Sequence, residues 1–292
     1  MRLFVALLAA LAQPAIHVGA QPTGLAYGAG SLWSANAGSA TVSRVDIVQL
    51  RVVKTIHVGV QPGAIAFAAG AVWVGDFTQN SVFRIDPSTN RVVATIPIDT
   101  MVGGFRAAAD GSLWVSEYNA GVVVRIDPHT NDVTERVRVG GQAQALAELG
   151  GLLWVANTAG YVSAIDPVAA KVVGATIDVG HGVDGLAATP EGLWATTYDR
   201  GLVVLIDPAS RKIVRRTHIK GHAAGIVLAG GALWVSDFVH RRVTRIERPA
   251  GAVRESHATG SRPRAIVRVG RALWVANQGS GTLVRVPLPR RV

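Results

Sequence analysis

Three pairs of an acidic and an aromatic residue stand at related places in the chain, namely Asp76-Phe77, Glu117-Tyr118 and Asp237-Phe238. Each acid follows a tryptophan by three positions, and a carboxylate beside an aromatic ring can coordinate a divalent metal ion or contact a ligand. We therefore take Asp76, Glu117 and Asp237 as candidate metal ligands, and Phe77 and Tyr118 as candidate ligand-binding residues. The alternative interpretation is an exposed acid in a turn.

A second group of candidates stands where the innermost strand of each repeat is expected to start. The equivalent residues are Thr23, Gly63, Gly103, Gln144, Asp184, Ala224 and Arg264. Asp184, with His181 nearby, can bind a cation or act as a base, and Arg264 can hold a carboxylate or a phosphate. The alternative is that both are solvated charges at a rim.

Three further residues complete the candidate ligand-binding set. Arg106 lies deeper in an innermost strand, where a side chain that faces a channel needs water or a partner. Arg262 belongs to a basic stretch just before Arg264, and His222 lies close to the start of another innermost strand. A histidine without titratable neighbours is more often structural than functional. No catalytic residue is assigned.

The elements that position these residues follow from an internal repeat. Tryptophans recur at spacings of 40, 41, 40, 40, 40 and 40 residues, at Trp33, Trp73, Trp114, Trp154, Trp194, Trp234 and Trp274. In the second repeat, four short runs read as strands, at 63–68, 71–75, 81–86 and 91–98. Seven such units predict an all-β, seven-bladed β-propeller of four-stranded antiparallel blades.

The last repeat is too short for its fourth strand, because only 18 residues follow Trp274. The segment Ala15-Ile16-His17-Val18-Gly19 matches Thr55-Ile56-His57-Val58-Gly59 at the same distance before a tryptophan. The N-terminal strand is therefore predicted to complete the last blade and close the ring, which removes two free sheet edges.

Composition and the N-terminus limit the cellular setting. The chain has no cysteine, so disulfides and thiolate metal sites are excluded. Arg2, the apolar residues 3–11 and Ala10-Leu11-Ala12 are typical of a short secretory signal peptide, and the alternative is a buried first strand. We expect a signal peptide over residues 1–12, a single propeller domain over 13–292, and a secreted or periplasmic protein with no transmembrane span in the mature chain.

The repeated segments resemble a known family. Pro-x-Gly-Ile-Ala, Leu-Trp-Val-Ala-Asn, Val-x-x-Ile-Asp-Pro and Val-Val-x-Thr-Ile-x-Val-Gly, over residues 15–286, resemble the YVTN-type β-propeller repeat. They are more loosely similar to virginiamycin B lyase and NHL-repeat propellers. The lyase resemblance implies a metal ion and histidines in the last two blades, but Ala224 and Arg264 stand at those positions. Thr23 likewise replaces the tyrosine of its first blade, so only the fold is carried over.

Charge is distributed unevenly along the chain. Residues 1–200 carry 12 Lys or Arg and 15 Asp or Glu, whereas residues 201–292 carry 17 and 4. This excess predicts a basic flank over blades six and seven and the end of blade five. We expect an anionic polymer or an envelope surface as partner rather than nucleic acid, since no nucleic-acid-binding motif is present. The alternative is an arginine-rich composition that serves no partner.

Two functions from different classes remain open. The first is an extracytoplasmic binding or interaction platform, a monomer with a polar channel mouth and a basic flank. The second is a metal-assisted lyase or lactonase-type hydrolase at the same mouth, for which the cofactor would be a divalent metal ion. The sequence does not decide whether the protein is an enzyme.

Overall fold

Seven four-stranded antiparallel sheets form the architecture, as predicted from the tryptophan repeat. The computed structural model describes residues 14–108 and 110–289. The expected signal peptide, residues 1–12, lies outside the described residues and stays a prediction. Within the described part, no helix is long and apolar enough to cross a membrane.

Strand β1 (Ile16–His17) precedes the first complete blade. Blade one contains β2 (Pro22–Gly28), β3 (Ser31–Asn36), a 3₁₀ helix (Ala37–Ser39), β4 (Thr41–Asp46) and β5 (Arg51–His57). Blade two contains β6 (Pro62–Ala68), β7 (Ala71–Asp76), β8 (Ser81–Asp86) and β9 (Arg91–Pro97). Blade three contains β10 (Val102–Ala107), β11 (Leu113–Glu117), β12 (Val122–Ile126) and β13 (Val133–Arg138).

The remaining blades follow the same order. Blade four contains β14 (Ala143–Leu149), β15 (Leu152–Asn157), β16 (Tyr161–Asp166), β17 (Lys171–Val172) and β18 (Ile177–Asp178). Blade five contains β19 (Val183–Thr189), β20 (Gly192–Thr197), β21 (Leu202–Asp207) and β22 (Lys212–His218). Blade six contains β23 (Ala223–Ala229), β24 (Ala232–Asp237), β25 (Arg242–Glu247) and β26 (Val253–Ala258). Blade seven contains β27 (Pro263–Val269), β28 (Ala272–Asn277) and β29 (Thr282–Pro287).

Blade four departs from the expected four strands because its outer strand is split. β17 and β18 both pair with β16, at Asp166 and Ile165 for the first piece and at Val162 and Tyr161 for the second. Gly174, between the pieces, has φ +64°, a left-handed conformation that glycine adopts most readily. The interruption follows from this bend in the outer strand.

The N-terminal strand closes the ring, as predicted. β1 pairs antiparallel with β29, and Ile16 lies opposite Leu283. The Val18 amide then donates to the Gly281 carbonyl at 3.0 Å. Ile16 is only 5% exposed and packs in one apolar cluster with Leu32 and Trp274. The last blade therefore takes its outer strand from the other end of the chain.

The repeated tryptophans fill the interfaces between blades. All seven are at most 2% exposed, and the indole N–H of Trp73 donates to the Ala68 carbonyl at 3.0 Å. The Arg44 guanidinium carbon lies 5.0 Å from the ring centre of Trp33. The same guanidinium reaches the next blade, where it donates to the Pro87 carbonyl at 2.7 Å. Arg44 thus both covers a tryptophan and ties two blades together.

Acids at the ends of the third strands, most of them within Ile-Asp-Pro segments, stabilise the turns between the third and fourth strands. Asp46 accepts hydrogen bonds from the amides of Val48 and Gln49 at 2.8 and 2.9 Å. These amides hold the pKa of Asp46 below its usual value, because they stabilise the charged carboxylate. The acids therefore fix the turns that set strand register.

Candidate functional site

The starts of the seven innermost strands meet around one end of the central channel. The residues that the sequence placed at equivalent positions all line a single cavity of about 270 Å³, namely Thr23, Gly63, Gly103, Gln144, Asp184, Ala224 and Arg264. They meet because each stands ten residues before its tryptophan, or eleven in blade three, so equivalent strand starts lie at the same end of the channel. We call this end of the channel the mouth.

Asp184 and Arg264 form the charged centre of the mouth. The Asp184 side chain is 14% exposed, and its Oδ1 accepts a hydrogen bond from Gln144 Nε2 at 3.1 Å. Arg264 Nη2 lies 3.6 Å from the same oxygen, which is an ion pair too long for a good hydrogen bond. The Asp184–Arg264 pair thus leaves guanidinium N–H groups free to meet a ligand.

A rim of larger side chains surrounds this charged centre. A second cavity of about 440 Å³ is lined by Asp184 and Arg264 together with Phe77, Tyr118, Thr158, Tyr198 and Gln278. The last five stand four residues after their tryptophans, one position beyond the acids noted in the sequence. The structure therefore brings four predicted ligand-binding residues, Phe77, Tyr118, Asp184 and Arg264, into one site.

Phe77 lies between the two cavities and lines both. Its ring rests over Gly63, so closely that a Cβ at that position would overlap the ring. The absence of a side chain at Gly63 is therefore what lets Phe77 lean inward.

Tyr198 lines the rim, and the predicted ligand-binding residues His222 and Arg262 lie behind it without lining either cavity. The Tyr198 ring lies edge-on to His222 at 4.9 Å between centroids and to Phe238 at 5.6 Å. The Arg262 guanidinium covers Phe238 at 5.9 Å from the ring centre. Burial raises the pKa of Tyr198, so its hydroxyl stays protonated and can donate at neutral pH. His222 Nδ1 is buried without a hydrogen-bond partner among the described residues.

Asp76, a candidate metal ligand, holds a loop instead of facing the mouth. It is 0% exposed, and its Oδ2 accepts the amides of Val60 and Gln61, both at 2.8 Å. Its Oδ1 accepts the amides of Thr78 and Gln79 at 2.7 and 2.8 Å. Burial raises the pKa of Asp76, but these hydrogen bonds outweigh it and leave the pKa below its usual value. Both oxygens are committed to the backbone.

Glu117 and Asp237 occupy the same buried position in their own blades. Glu117 Oε1 accepts from the Asp99 amide and from Arg136, both at 3.2 Å, and burial raises its pKa. Asp237 Oδ2 accepts from Arg242 Nε at 3.0 Å and contacts His240 Nδ1 at 2.9 Å. Both acids are 0% exposed, so the interpretation of these residues as exposed turn acids is wrong.

A divalent metal site does not fit the donors that the structure brings together. Asp76, Glu117 and Asp237 lie in three different blades, and each is engaged by its own blade or by the loop that leads into it. Across residues 14–108 and 110–289, no group of three or more His, Asp or Glu side chains converges as a set of metal ligands. The lyase alternative therefore lacks both its histidines and a preformed metal site.

Arg106 lies apart from the other candidates. It is placed further along β10 than Gly103 and lines neither mouth cavity. Its guanidinium forms a 3.9 Å ion pair with Glu148 of the next blade. The charge of Arg106 is thus partly balanced by a neighbouring blade near the other end of the channel.

Sequence reasoning missed several residues of the rim. Tyr198 follows a threonine rather than an acid, so a search for acid–aromatic pairs passed over it. Thr158, Gln142 and Gln278 are polar residues with no motif around them. The position four residues after tryptophan, compared across all blades, is the signal that would have found Thr158, Tyr198 and Gln278.

Comparisons with known proteins agree with the fold. A family model described as a domain of unknown function (DUF5074) matches residues 33–145. No curated protein matches the chain. Among solved structures, hydrazine synthase of Kuenenia stuttgartiensis superposes with a TM-score of 0.81 at 17% identity, covering 91% of this chain and 95% of that one.

Virginiamycin B lyase from Staphylococcus aureus superposes with a TM-score of 0.79 at 14% identity, covering 92% of this chain and 95% of that one. The expected resemblance to virginiamycin B lyase-type propellers is thus confirmed, whereas the matching family model does not carry the YVTN name. At these identities the likeness concerns the fold and not the chemistry. The chain is a seven-bladed β-propeller similar to virginiamycin B lyase in architecture.

Proposed function

We propose that this protein is an extracytoplasmic binding platform that holds a small polar ligand at the channel mouth. The Asp184–Arg264 pair, set in an aromatic and hydroxyl-bearing rim, is the observation that carries the proposal. A concave site with few polar groups at its centre and apolar walls around them is the usual form of a ligand pocket.

The binding chemistry is supported by what the charged pair lacks. In the described part of the chain, the Arg264 side chain makes no hydrogen bond, and Asp184 accepts only the one from Gln144. Buried polar groups are normally satisfied, so groups left partly free in a cavity are suited to a ligand or to ordered water. A ligand that hydrogen-bonds to both Asp184 and Arg264 would therefore gain favourable interactions from each.

The basic flank is the second surface of the proposed platform. Lys212 and Arg216 are exposed on β22, and Lys220 follows that strand. None of the three forms an ion pair within the described residues. We infer that this surface contacts an acidic polymer, because surplus charge on one face attracts polyanions through Coulomb forces.

Two cations of the same stretch serve the fold instead. Arg211 donates to the Ala175 carbonyl at 2.8 Å and covers Trp154 at 5.4 Å. Arg215 donates to the Ala250 carbonyl of blade six at 2.9 Å. Tests of the flank should therefore change Lys212, Arg216 and Lys220 and leave these two arginines in place.

Export is the third part of the proposal and rests on the N-terminal sequence. The apolar residues 3–11, followed by Ala10-Leu11-Ala12, favour cleavage before Gln13. Cleavage there would leave Ile16 and its strand in the mature chain. N-terminal sequencing of protein from separated cell fractions tests this, and an intact Met1 in a cytoplasmic fraction would overturn it.

The mouth is tested by a thermal-shift screen with small molecules of four charge classes: neutral, anionic, cationic and zwitterionic. The parent protein is compared with the double variant Asp184→Asn, Arg264→Gln, and with Arg91→Gln as a surface control. We expect at least one class to raise the melting temperature of the parent and of the control but not that of the double variant. Equal shifts in all three proteins, or no shift in the parent, would refute binding at the mouth.

A further inference from the structure

We propose that the ligand of the mouth is an acidic saccharide, which places its carboxylate on Arg264 and its hydroxyl groups against the polar rim. This inference rests on the proposed function and names the class of ligand. Three independent features of the site, a free guanidinium, a set of two-way hydrogen-bonding groups and aromatic faces, point to the same chemistry.

The carboxylate is suited to Arg264. Its side chain is 30% exposed in the cavity, and the 3.6 Å separation from Asp184 orients the guanidinium without using its N–H groups in short hydrogen bonds. A planar guanidinium matches the two oxygens of a carboxylate in a bidentate geometry. Asp184 repels a second anion, so the centre of the mouth accepts one carboxylate and no cluster of negative charge.

Neutral groups that both donate and accept surround this centre. Tyr118 Oη lies 3.1 Å from Thr158 Oγ1, which donates to Gln142 Oε1 at 2.7 Å. Gln144 and Gln278 add two more amides to the cavity wall. Vicinal hydroxyl groups of a sugar need partners of this kind, because each hydroxyl donates once and accepts as well. The Asp184 carboxylate adds an acceptor for a hydroxyl next to the ligand's own acid.

The aromatic rings supply the faces on which a sugar ring can pack. Phe77 and Tyr118 stand on blades two and three, and Tyr198 stands on blade five across the mouth. Aromatic faces carry partial negative charge, which attracts the weakly positive C–H groups of a pyranose. At about 440 Å³, the outer cavity falls within the size range of small-ligand pockets. Because the cavity is open to solvent along its lining rim, the ligand can be the end of a longer chain.

A zwitterion such as the end of a peptide is the main alternative, since it could contact Arg264 and Asp184 at once. Such a ligand would use the charged pair alone, with its ammonium group at Asp184 and its carboxylate at Arg264. It also leaves the three glutamines and the hydroxyl chain without a role. The observations therefore favour a polyhydroxylated acid.

Isothermal titration of the full protein with digalacturonic acid, with the corresponding neutral digalactose and with the dipeptide Ala-Ala tests the inference. We expect digalacturonic acid, the diacid, to bind and the neutral disaccharide to bind at least about tenfold more weakly. Arg264→Gln should weaken binding of the diacid by about 10- to 100-fold, as expected when a charge-assisted hydrogen bond is lost. Arg264→Lys should recover part of the affinity. Arg91→Gln, the same change on the exposed outer strand of blade two, should have no effect.

The outcomes separate this inference from the proposed function. Equal binding of the neutral disaccharide, or binding of Ala-Ala alone, would overturn the acidic saccharide and leave the mouth as a binding site. Diacid binding that survives Arg264→Gln but is lost in the triple variant Lys212→Glu, Arg216→Glu, Lys220→Glu would place the ligand on the basic flank and overturn the inference. If no probe binds here or in the charge-class screen, both proposals fail.

Discussion

Replacement of Ile16 by alanine measures how firmly the N-terminal strand closes the ring. Ile16 is 5% exposed, lies opposite Leu283 and packs in a cluster with Leu32 and Trp274. Removing such a buried side chain costs about 2–5 kcal/mol, from lost burial and from the cavity left behind. We expect the free energy of unfolding of Ile16→Ala to fall by that amount.

Ile96 provides a matched control, because it fills the equivalent place in blade two and is 4% exposed. The chain runs continuously from the other strands of blade two into β9, whereas β1 comes from the other end of the chain and pairs with β29 over only two residues. The cost of Ile16→Ala cannot exceed the free energy with which β1 docks, since an undocked strand exposes Ile16 in any case. Comparable costs for the two variants would therefore mean that β1 docks with a free energy at least as large as the cost of Ile96→Ala.

Urea denaturation followed by tryptophan fluorescence gives both free energies, because all seven tryptophans are buried in the native ring. The two variants and the parent should unfold with the same dependence on denaturant concentration. A loss below about 0.5 kcal/mol for Ile16→Ala, beside a loss of 2 kcal/mol or more for Ile96→Ala, would show that β1 does not hold the last blade in solution.

Three further predictions concern the loops, the mouth and the flank. Asp76→Asn should lower the free energy of unfolding at pH 7 by about 1–3 kcal/mol, because an amide group would face backbone N–H donors. The pKa of Asp76 is lowered in the folded state, so the stability that Asp76 contributes is present above the unfolded-state pKa and is lost as the pH falls. The difference in free energy of unfolding between parent and variant should therefore narrow on acidification, which melts at several pH values measure. Gly63→Ala should destabilise by about 1–3 kcal/mol through overlap with Phe77, and the added change Phe77→Ala should recover part of that loss in a double-mutant cycle. Retention on heparin should be salt-sensitive and should be reduced by the triple variant Lys212→Glu, Arg216→Glu, Lys220→Glu. The control triple variant Lys54→Glu, Arg91→Glu, Arg138→Glu, which changes exposed residues of blades one to three, should have less effect. Retention that is indifferent to salt or to the first triple variant would remove the support for the basic flank.

The fold could be predicted from the sequence because one large residue marks every blade. Each tryptophan is buried at a blade interface, so its spacing reports the size of the repeating unit directly. Ring closure could be predicted in the same way, since Ile16 and Ile56 lie at the same distance before the next tryptophan and occupy equivalent outer strands. Split strands such as β17 and β18 were not, because a local bend at Gly174 leaves the spacing of the repeat unchanged.

The site could be predicted only where it depends on register. Asp184 and Arg264 were placed together because equivalent strand starts must meet around the channel. The role of Asp76 was missed, although Asn157 occupies the same position in blade four and accepts the Gln142 amide at 2.9 Å. An amide oxygen and a carboxylate oxygen can both accept a hydrogen bond from a loop amide, so residue type alone did not distinguish a structural acid from a metal ligand. The inward lean of Phe77 depends on side-chain packing over Gly63 and has no signature in residue spacing.

Neighbouring positions after each tryptophan separate stability from recognition. The third position holds Asn36, Asp76, Glu117, Asn157, Thr197, Asp237 and Asn277, all of them 0% exposed. The fourth position reaches the partly exposed rim, where blades differ between Phe77, Thr158 and Gln278. The side chain at the third position ends the buried second strand and ties down the adjoining loop. The next residue contacts that loop through its backbone amide, as Phe77 does with the Gln61 carbonyl at 3.0 Å, so its side chain is left for the rim. Substitutions at the fourth position can therefore change what the mouth binds at little cost in stability, whereas substitutions at the third must preserve the loop.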